Sequence, residues 1–501
     1  RDERFKGFAP KATIVSQVFS GILANAPAYV QDHGMVITNN SYGNVVDDCL
    51  SFGVYDLYSR VMDQQQLQMP ALQHVFAAGN SGNYVCGNYA AGFGNVLGGY
   101  QTAKNVISVG TATEIEVISP GSSKGPVKDG RIKPDITAQG ARVYSTTPTN
   151  SYGVSSGTSM AAPGVSGGLA LLYERYRQLH SGANPRNGLM KALLCNGATD
   201  LGQPGPDYSY GFGWLNLLRS VSMLEGNNYV NQQVNAGAVN THTFTLPAGT
   251  NIAQLKVMLY WNDEAANALA AQALINDLDL QVAGPGGTWL PQLLDTVPGR
   301  VDQPATTGED HINNIEQVVI NNPLPGTYSF QVKGTRLPTS SQYEYFLVYD
   351  TVPAGTRLTY PLGGEHFQAN DSVYVSWENA GTQGQQVTIE FSADNGNSWT
   401  TLASGTDAGT RQYKWFVPAV AATNQARIRL TNSSTGAISQ SETFVIAGVP
   451  TVTLASVQCE GYIAVNWTAV AGATDYEVML SSGGDMRSVA ISAANTYTIS
   501  G

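Results

Sequence analysis

The chain has 501 residues, 13% of them charged, with 26 Lys and Arg against 37 Asp and Glu and a net charge of -11. At ~150 residues per domain this length implies about three domains and excludes a single small scaffold. A pI near 5.0 and a mean hydropathy of -0.13 argue against a nucleic-acid partner, which would need a basic face, and no run approaches the ~18 apolar residues of a membrane span.

The opening RDERFKGFAP has neither an initiator Met nor the charged-then-apolar layout of a secretion signal, so the expectation is that sequence upstream was removed or not included. Residues 1–225 alternate short apolar runs with helix-like stretches, the pattern of an α/β domain. Strands are expected at 35–38, 75–78 and 106–109. A buried helix is expected over 159–179, where Val165, Leu169 and Leu172 share one face and Gly164, Gly167 and Gly168 allow close packing.

After 225 the pattern changes to period-2 alternation broken by Gly, Pro and Asn, which predicts all-β structure. One unit covers 226–352, with Leu278, Leu280 and Val282 on one strand face and Tyr328, Phe330 and Val332 on another. A second, 356–447, places Val373, Val375 and Trp377 in phase, carries an Asn395-Gly396 hairpin signal and suits a β-sandwich. The piece 449–501, with Val465 and Trp467 on one strand and Tyr476, Val478 and Leu480 on another, is about half of a sandwich. Its last strand lacks a clear partner after it, so the chain reads as cut at both ends.

Chemistry points first to Gly157-Thr158-Ser159-Met160-Ala161-Ala162-Pro163-Gly164. Ser159 opens the buried helix, where unpaired N–H groups and the positive end of the dipole stabilise developing negative charge. The same position suits an ordinary N-capping serine. A Ser-x-x-Lys hydrolase would need lysine where Ala162 stands.

The motif resembles the nucleophile signature of the subtilisin-like serine proteases, or subtilases. Three other segments are similar to that family and in its order: Gly7-Phe8-Ala9-Pro10, the strand and turn Val75-Phe76-Ala77-Ala78-Gly79-Asn80, and Ser122-Ser123-Lys124-Gly125-Pro126 with Lys133-Pro134-Asp135. The resemblance covers roughly residues 7–225 and implies a parallel sheet with buried helices. It implies Ser159 as nucleophile and the Asn80 side chain, with the Ser159 N–H, as oxyanion donors. It implies that Ser41, Tyr42, Gly43 and Ala77, Ala78, Gly79 flank the pocket for the residue before the scissile bond, with Tyr42 a bulky choice there. Gln139 stands where the family has Pro.

The family also needs an Asp and a His, both placed before the Gly7 segment. None of the six histidines lies in the family's context, and Asp32-His33 reads as a loop feature whose side chains point to opposite faces. The expectation is therefore a secreted endopeptidase acting on protein or peptide substrates, of which this stretch lacks two triad members and is nearly inert alone. A nicked N-terminal piece that stays docked would restore the triad. The alternative is an inactive subtilase-like adhesin or binding protein whose β modules carry the function.

The unit at 226–352 resembles the C-terminal β-barrel of some alkaline subtilases, through Asn276-Asp277-Leu278-Asp279-Leu280 and Asn313-Asn314-Ile315-Glu316. That likeness implies a structural calcium, for which Asp277 and Asp279 would project from one strand face; a solvated face near a turn explains them equally. The last two units resemble immunoglobulin-like and fibronectin type III modules of bacterial secreted and surface enzymes, which implies an extracellular or cell-surface location and surface or matrix contact. Cys49 and Cys86 fall in loops near the proposed cleft, where a bridge would contribute about 4 kcal/mol. Cys195 reads as a buried thiol, and Cys459 as free to pair beyond the cut.

Overall fold

The computed structural model describes residues 7–44, 48–148, 151–381, 384–419, 422–470, 472–482 and 485–500. Two compact units are present, Asp2–Val352 and Pro353–Gly501.

The first unit begins with α1 (Ile22–His33), β1 (Ile37–Asn40), α2 (Leu57–Gln68), β2 (Gln73–Ala77), β3 (Ile107–Ala112) and β4 (Ile136–Gln139). The four strands form one parallel sheet in the order β1-β2-β3-β4. β2 and β3 are buried along their whole length, the polar Gln73, His74, Ser108 and Thr111 included. β4 has no counterpart among the expected strands, because Ile-Thr-Ala-Gln carries a single strongly apolar side chain. The Asp32-His33 pair is also corrected: it ends helix α1, where Gly34 at φ +61° provides the left-handed cap.

A hairpin, β5 (Val143–Thr147) and β6 (Ser151–Ser155), leads into α3 (Thr158–Leu179), followed by α4 (Asn187–Gly197) and α5 (Leu217–Glu225). Helix α3 lies across all four strands. Val165, Leu169 and Leu172 are fully buried, and its glycines admit neighbours: Phe8 lies against Gly164 and Gly167, and Leu217 against Gly168.

The rest of this unit is β7 (Tyr229–Asn235), β8 (Val239–Leu246), β9 (Ile252–Tyr260), β10 (Asp277–Gly284), β11 (Gly287–Trp289), β12 (Gln292–Leu293), β13 (Thr306–Thr307), β14 (Ile315–Asn321), β15 (Gly326–Arg336) and β16 (Gln342–Pro353). Two four-stranded antiparallel sheets result, β11-β10-β15-β8 and β14-β9-β16-β7. Leu255, Val257, Leu280, Val318, Phe330 and Leu347 fill a core of their own. Among the described residues no strand joins the two sheets into a closed barrel.

The boundary expected at 225 does not separate two bodies. Met258, Tyr260, Phe346 and Val348 belong to the same buried cluster as Ile107, Val165 and Leu193. Polar groups seal the junction. Lys104 Nζ donates to Asp263 (2.6 Å) and to the Ala273 carbonyl (2.7 Å), with both charged side chains fully buried. Asn105 exchanges hydrogen bonds with the Asp263 backbone, and Asn314 donates to Asn105 Oδ1 and the Trp261 carbonyl.

His74 on β2 carries a measurable consequence. It is fully buried, paired through Nδ1 with Thr38 Oγ1 (2.8 Å), and burial lowers its pKa from 6.5 to about 3. The folded state therefore holds it neutral, and its contribution is complete above pH 6.5 and is lost as pH falls towards 3. At ~1.4 kcal/mol per pKa unit, the loss reaches about 5 kcal/mol near pH 3. Urea unfolding of wild type and His74→Gln across this range is expected to show a stability difference that shifts steadily in the variant's favour as pH falls. A constant difference would contradict it.

In the second unit, one sheet contains Gly355–Tyr360, Ser372–Ala380 and Gln412–Phe416, and another contains His366–Gln368, Phe444–Ala447, Thr423–Asn432, Gln386–Ser392 and Thr400–Asp407. Val375, Trp377, Ile389, Trp415 and Ile428 are buried between them. Asn395 and Gly396 take φ of +60° and +86°, as their hairpin signal requires. The final stretch has a sheet of Val452–Leu454, Tyr462–Trp467 and Thr496–Ser500, and a hairpin of Tyr476–Ser482 with Asp485–Ser492.

Candidate active site

Functional groups in a parallel sheet collect beyond the carboxyl ends of the strands. β1 ends at Asn40 and continues into Ser41, Tyr42 and Gly43; β2, paired with it in parallel, ends at Ala77 and continues into Ala78, Gly79 and Asn80. The first turn of α3 meets both. Ser41 Oγ donates to the Ser159 carbonyl (2.8 Å), and Ser159 Oγ donates to the Ser41 carbonyl (3.2 Å). Asn80 lies on the other side, its Oδ1 accepting from Thr158 N–H (2.9 Å) and Thr158 Oγ1 (3.1 Å).

These bonds orient the Asn80 amide. While Oδ1 is committed to Thr158, Nδ2 makes no hydrogen bond among the described residues, and the residue is exposed. The helix N-terminus completes the arrangement: Met160 and Ala161 N–H both reach the Gly157 carbonyl, Thr158 N–H is spent on Asn80, and Ser159 N–H makes no hydrogen bond among the described residues. One unspent backbone donor and one unspent side-chain amide thus lie at the start of α3. Gly157, at φ +145°, permits this closeness, since a Cβ there would lie 3.1 Å from Asn80 Oδ1.

The Ser122-Ser123 segment holds the Asn80 turn. Ser123 N–H donates to the Gly79 carbonyl (3.0 Å), and Ser123 Oγ accepts from Ser81 N–H (3.0 Å). Lys133 and Asp135 are a buried foundation: Asp135 accepts from Lys133 (2.6 Å) and Lys191 (2.8 Å), and these cations, against the cost of burial, hold its carboxyl below the usual carboxylate range. Cys49 and Cys86 form a disulfide, while Cys195 is buried and Cys459 exposed as free thiols.

Tyr42 does not present its ring to a cleft. It packs against Phe19, Phe76 and Tyr100, with its hydroxyl on Asn40 Oδ1 (3.1 Å), and burial raises its pKa. Among the described residues no histidine hydrogen-bonds to Ser159: His33 lies against Tyr29, His74 on Thr38, His180 on Tyr229, His242 on Tyr345 and His311 on Asp277. Two clefts, of about 230 Å³ beside Arg186 and Glu344 and about 430 Å³ beside Tyr229 and His242, contain none of the residues around Ser159.

Asp277 and Asp279 do converge, and with His311, whose place in the group no spacing signal announced. Their ligand atoms lie within 4.8 Å of one another, with His311 Nδ1 3.1 Å from Asp277. Burial pushes the Asp277 carboxyl up, with His311 opposing it, and burial and then Asp310 push Glu316 up strongly. Asp277 Oδ1 and Asp279 Oδ1 are buried without hydrogen-bond partners, two hard oxygen acceptors of the kind that a calcium ion takes.

Residues 2–213 match the subtilase family, and residues 360–446 match the Kre9/KNH-like N-terminal Ig-like domain. The chain is similar to the minor extracellular protease Vpr of Bacillus subtilis, 24% identical over 57% of this chain and 39% of Vpr. It is also similar to the C5a peptidase of Streptococcus pyogenes, 42% identical over 17% of this chain and 7% of that protein. A third relative is the serine protease/ABC transporter B family protein tagA of Dictyostelium discoideum, 26% identical over 47% of this chain and 15% of that protein. The chain thus spans well under half the length of each of these relatives. Among solved structures, a lanthipeptide protease aligns with 42% of this chain and 68% of its own, at 24% identity and a TM-score of 0.33.

Proposed function

We propose that the chain carries the nucleophile and oxyanion donors of a secreted serine endopeptidase acting on protein or peptide substrates outside the cell or at its surface. The carrying observation is the unspent pair, Ser159 N–H and Asn80 Nδ2, at the helix start that bears Ser159. Ser159 Oγ attacks the scissile carbonyl and gives its proton to a base. The carbonyl oxygen gains the electron pair and is held by the two donors, and collapse expels the amine to leave an acyl-enzyme that water hydrolyses. The base is a histidine oriented by an aspartate, both contributed from outside the described residues.

Asn80→Ala in the full-length gene product is expected to lower kcat on a peptide p-nitroanilide about 10²- to 10³-fold with little change in KM, the scale known for the oxyanion Asn of subtilisin itself. An unchanged kcat would remove Asn80 from the reaction. The second reading, an inactive binding protein, is favoured by one observation: the Ser159 hydroxyl is spent on the Ser41 carbonyl.

Calcium belongs to the same proposal as a structural ion. Asp277 and Asp279 would hold it, and its charge would relieve two buried carboxylate oxygens that have no hydrogen bond. Chelation is expected to lower the melting temperature of the wild type and leave that of Asp277→Asn with Asp279→Asn unmoved. Equal responses would count against the site.

A further inference from the structure

Leu97 occupies the space between the two backbone segments that flank Ser159. A Cβ on Gly43 would lie 2.9 Å from Leu97 Cδ1, and a Cβ on Gly79 would lie 2.7 Å from Leu97 Cγ. One isobutyl group therefore touches the segment after β1 and the segment after β2, and Leu97 N–H is tied to the Ala78 carbonyl (3.0 Å). It is only 7% exposed.

Leu97 cannot easily retreat. Phe52, 1% exposed, and the disulfide-bonded Cys86 pack behind it. Gln101, fully buried, donates Nε2 to the Tyr42 carbonyl (2.8 Å) and closes the space on the Gly43 side, 2.5 Å from where a Cβ would stand. The strand-like stretch 51–54 is bonded across to 96–99, with Gly53 N–H on the Val96 carbonyl (2.8 Å) and Gly99 N–H on the Val54 carbonyl (3.0 Å), and the Cys49–Cys86 disulfide clasps that layer.

We infer that Leu97 is a specificity-determining residue that makes the pocket for the residue before the scissile bond shallow, so that the enzyme selects peptides with Gly, Ala or Ser there. No charged side chain is among the contacts that fill the space, so size and not charge sets the choice. The inference rests on the serine-peptidase reading above.

The test uses the full-length gene product with succinyl-Ala-Ala-Pro-X-p-nitroanilides in which X is Ala, Leu or Phe. Wild type is expected to show kcat/KM for Ala about 10- to 100-fold above Phe, the range that a pocket of fixed size imposes on added methylenes. Leu97→Ala, checked for folding by its melting curve, is expected to raise kcat/KM for Phe at least tenfold while that for Ala stays within a few-fold. Leu97→Val, a smaller disturbance of packing, is expected to move the ratio in the same direction. A wild type that prefers Phe, or a ratio unmoved in both variants, would overturn the inference while Ser159 still reacts covalently with a fluorophosphonate. Absence of hydrolysis together with absence of that covalent reaction would overturn the parent reading and this one with it.

Discussion

Ser159→Ala in the full-length gene product is expected to lower kcat on the order of 10⁶-fold while the melting temperature stays within a few degrees, the scale known for subtilisin itself. The stability expectation comes from the contacts. The Ser159 hydroxyl makes one bond, to the Ser41 carbonyl (3.2 Å), at a half-buried position, whereas the backbone clasp from Ser41 Oγ to the Ser159 carbonyl (2.8 Å) survives the change. Residual turnover after the change measures what Asn80 Nδ2 and Ser159 N–H achieve without a nucleophile. A kcat reduced less than tenfold would place the nucleophile elsewhere.

Asp263→Ala is expected to abolish soluble folded protein. Asp263 accepts from Lys104 Nζ (2.6 Å), from Ile275 N–H and Asn276 N–H (both 2.8 Å) and from Asn276 Nδ2 (3.1 Å), all out of water. Stranding the Lys104 cation costs about 3–5 kcal/mol, and each N–H left unpaired adds about 1–3 kcal/mol. The sum reaches the ~5–15 kcal/mol that is typical of whole-domain stability. Asp263→Asn, which retains an acceptor oxygen, is expected to fold with a lowered urea midpoint. Since the buried cluster runs from Ile107 through Leu193 to Phe346, its denaturation is expected as one transition for the whole first unit. Two separated transitions, or a folded Asp263→Ala, would contradict the junction described here.

The parts of the site that are contiguous in sequence were legible there. The run around Ser159 declares a helix start, and Val75 to Asn80 declares a buried strand that ends in a glycine turn. What had to come from the fold was supplied by distant loops. Leu97 looks like any apolar residue beside glycines, and only the approach of Gly43 and Gly79 shows what it fills. Ser123 lies in a segment that the sequence singles out, but its bonds to Gly79 and Ser81 are seen only in the fold. Tyr42 was expected at a pocket because its segment borders one, but side-chain direction at a strand end depends on neighbours, here Phe76 and Tyr100.

The same physics explains the boundary at 225. The change from helical to period-2 patterning is real, and α5 ends at Glu225. Yet Lys104, Asn105, Asp263 and Asn314 carry the composition of a solvated surface while lying buried, so nothing in their residue types announces a sealed junction. Buried polar groups of this kind become visible only through their partners.

The most direct test of the account is to treat the full-length gene product with a fluorophosphonate, digest it, and map the phosphonylated residue by tandem mass spectrometry. The account predicts a single adduct on Ser159, slowed in Asn80→Ala and absent in Ser159→Ala. An adduct on another serine, or none from a folded protein that hydrolyses peptides, would contradict it.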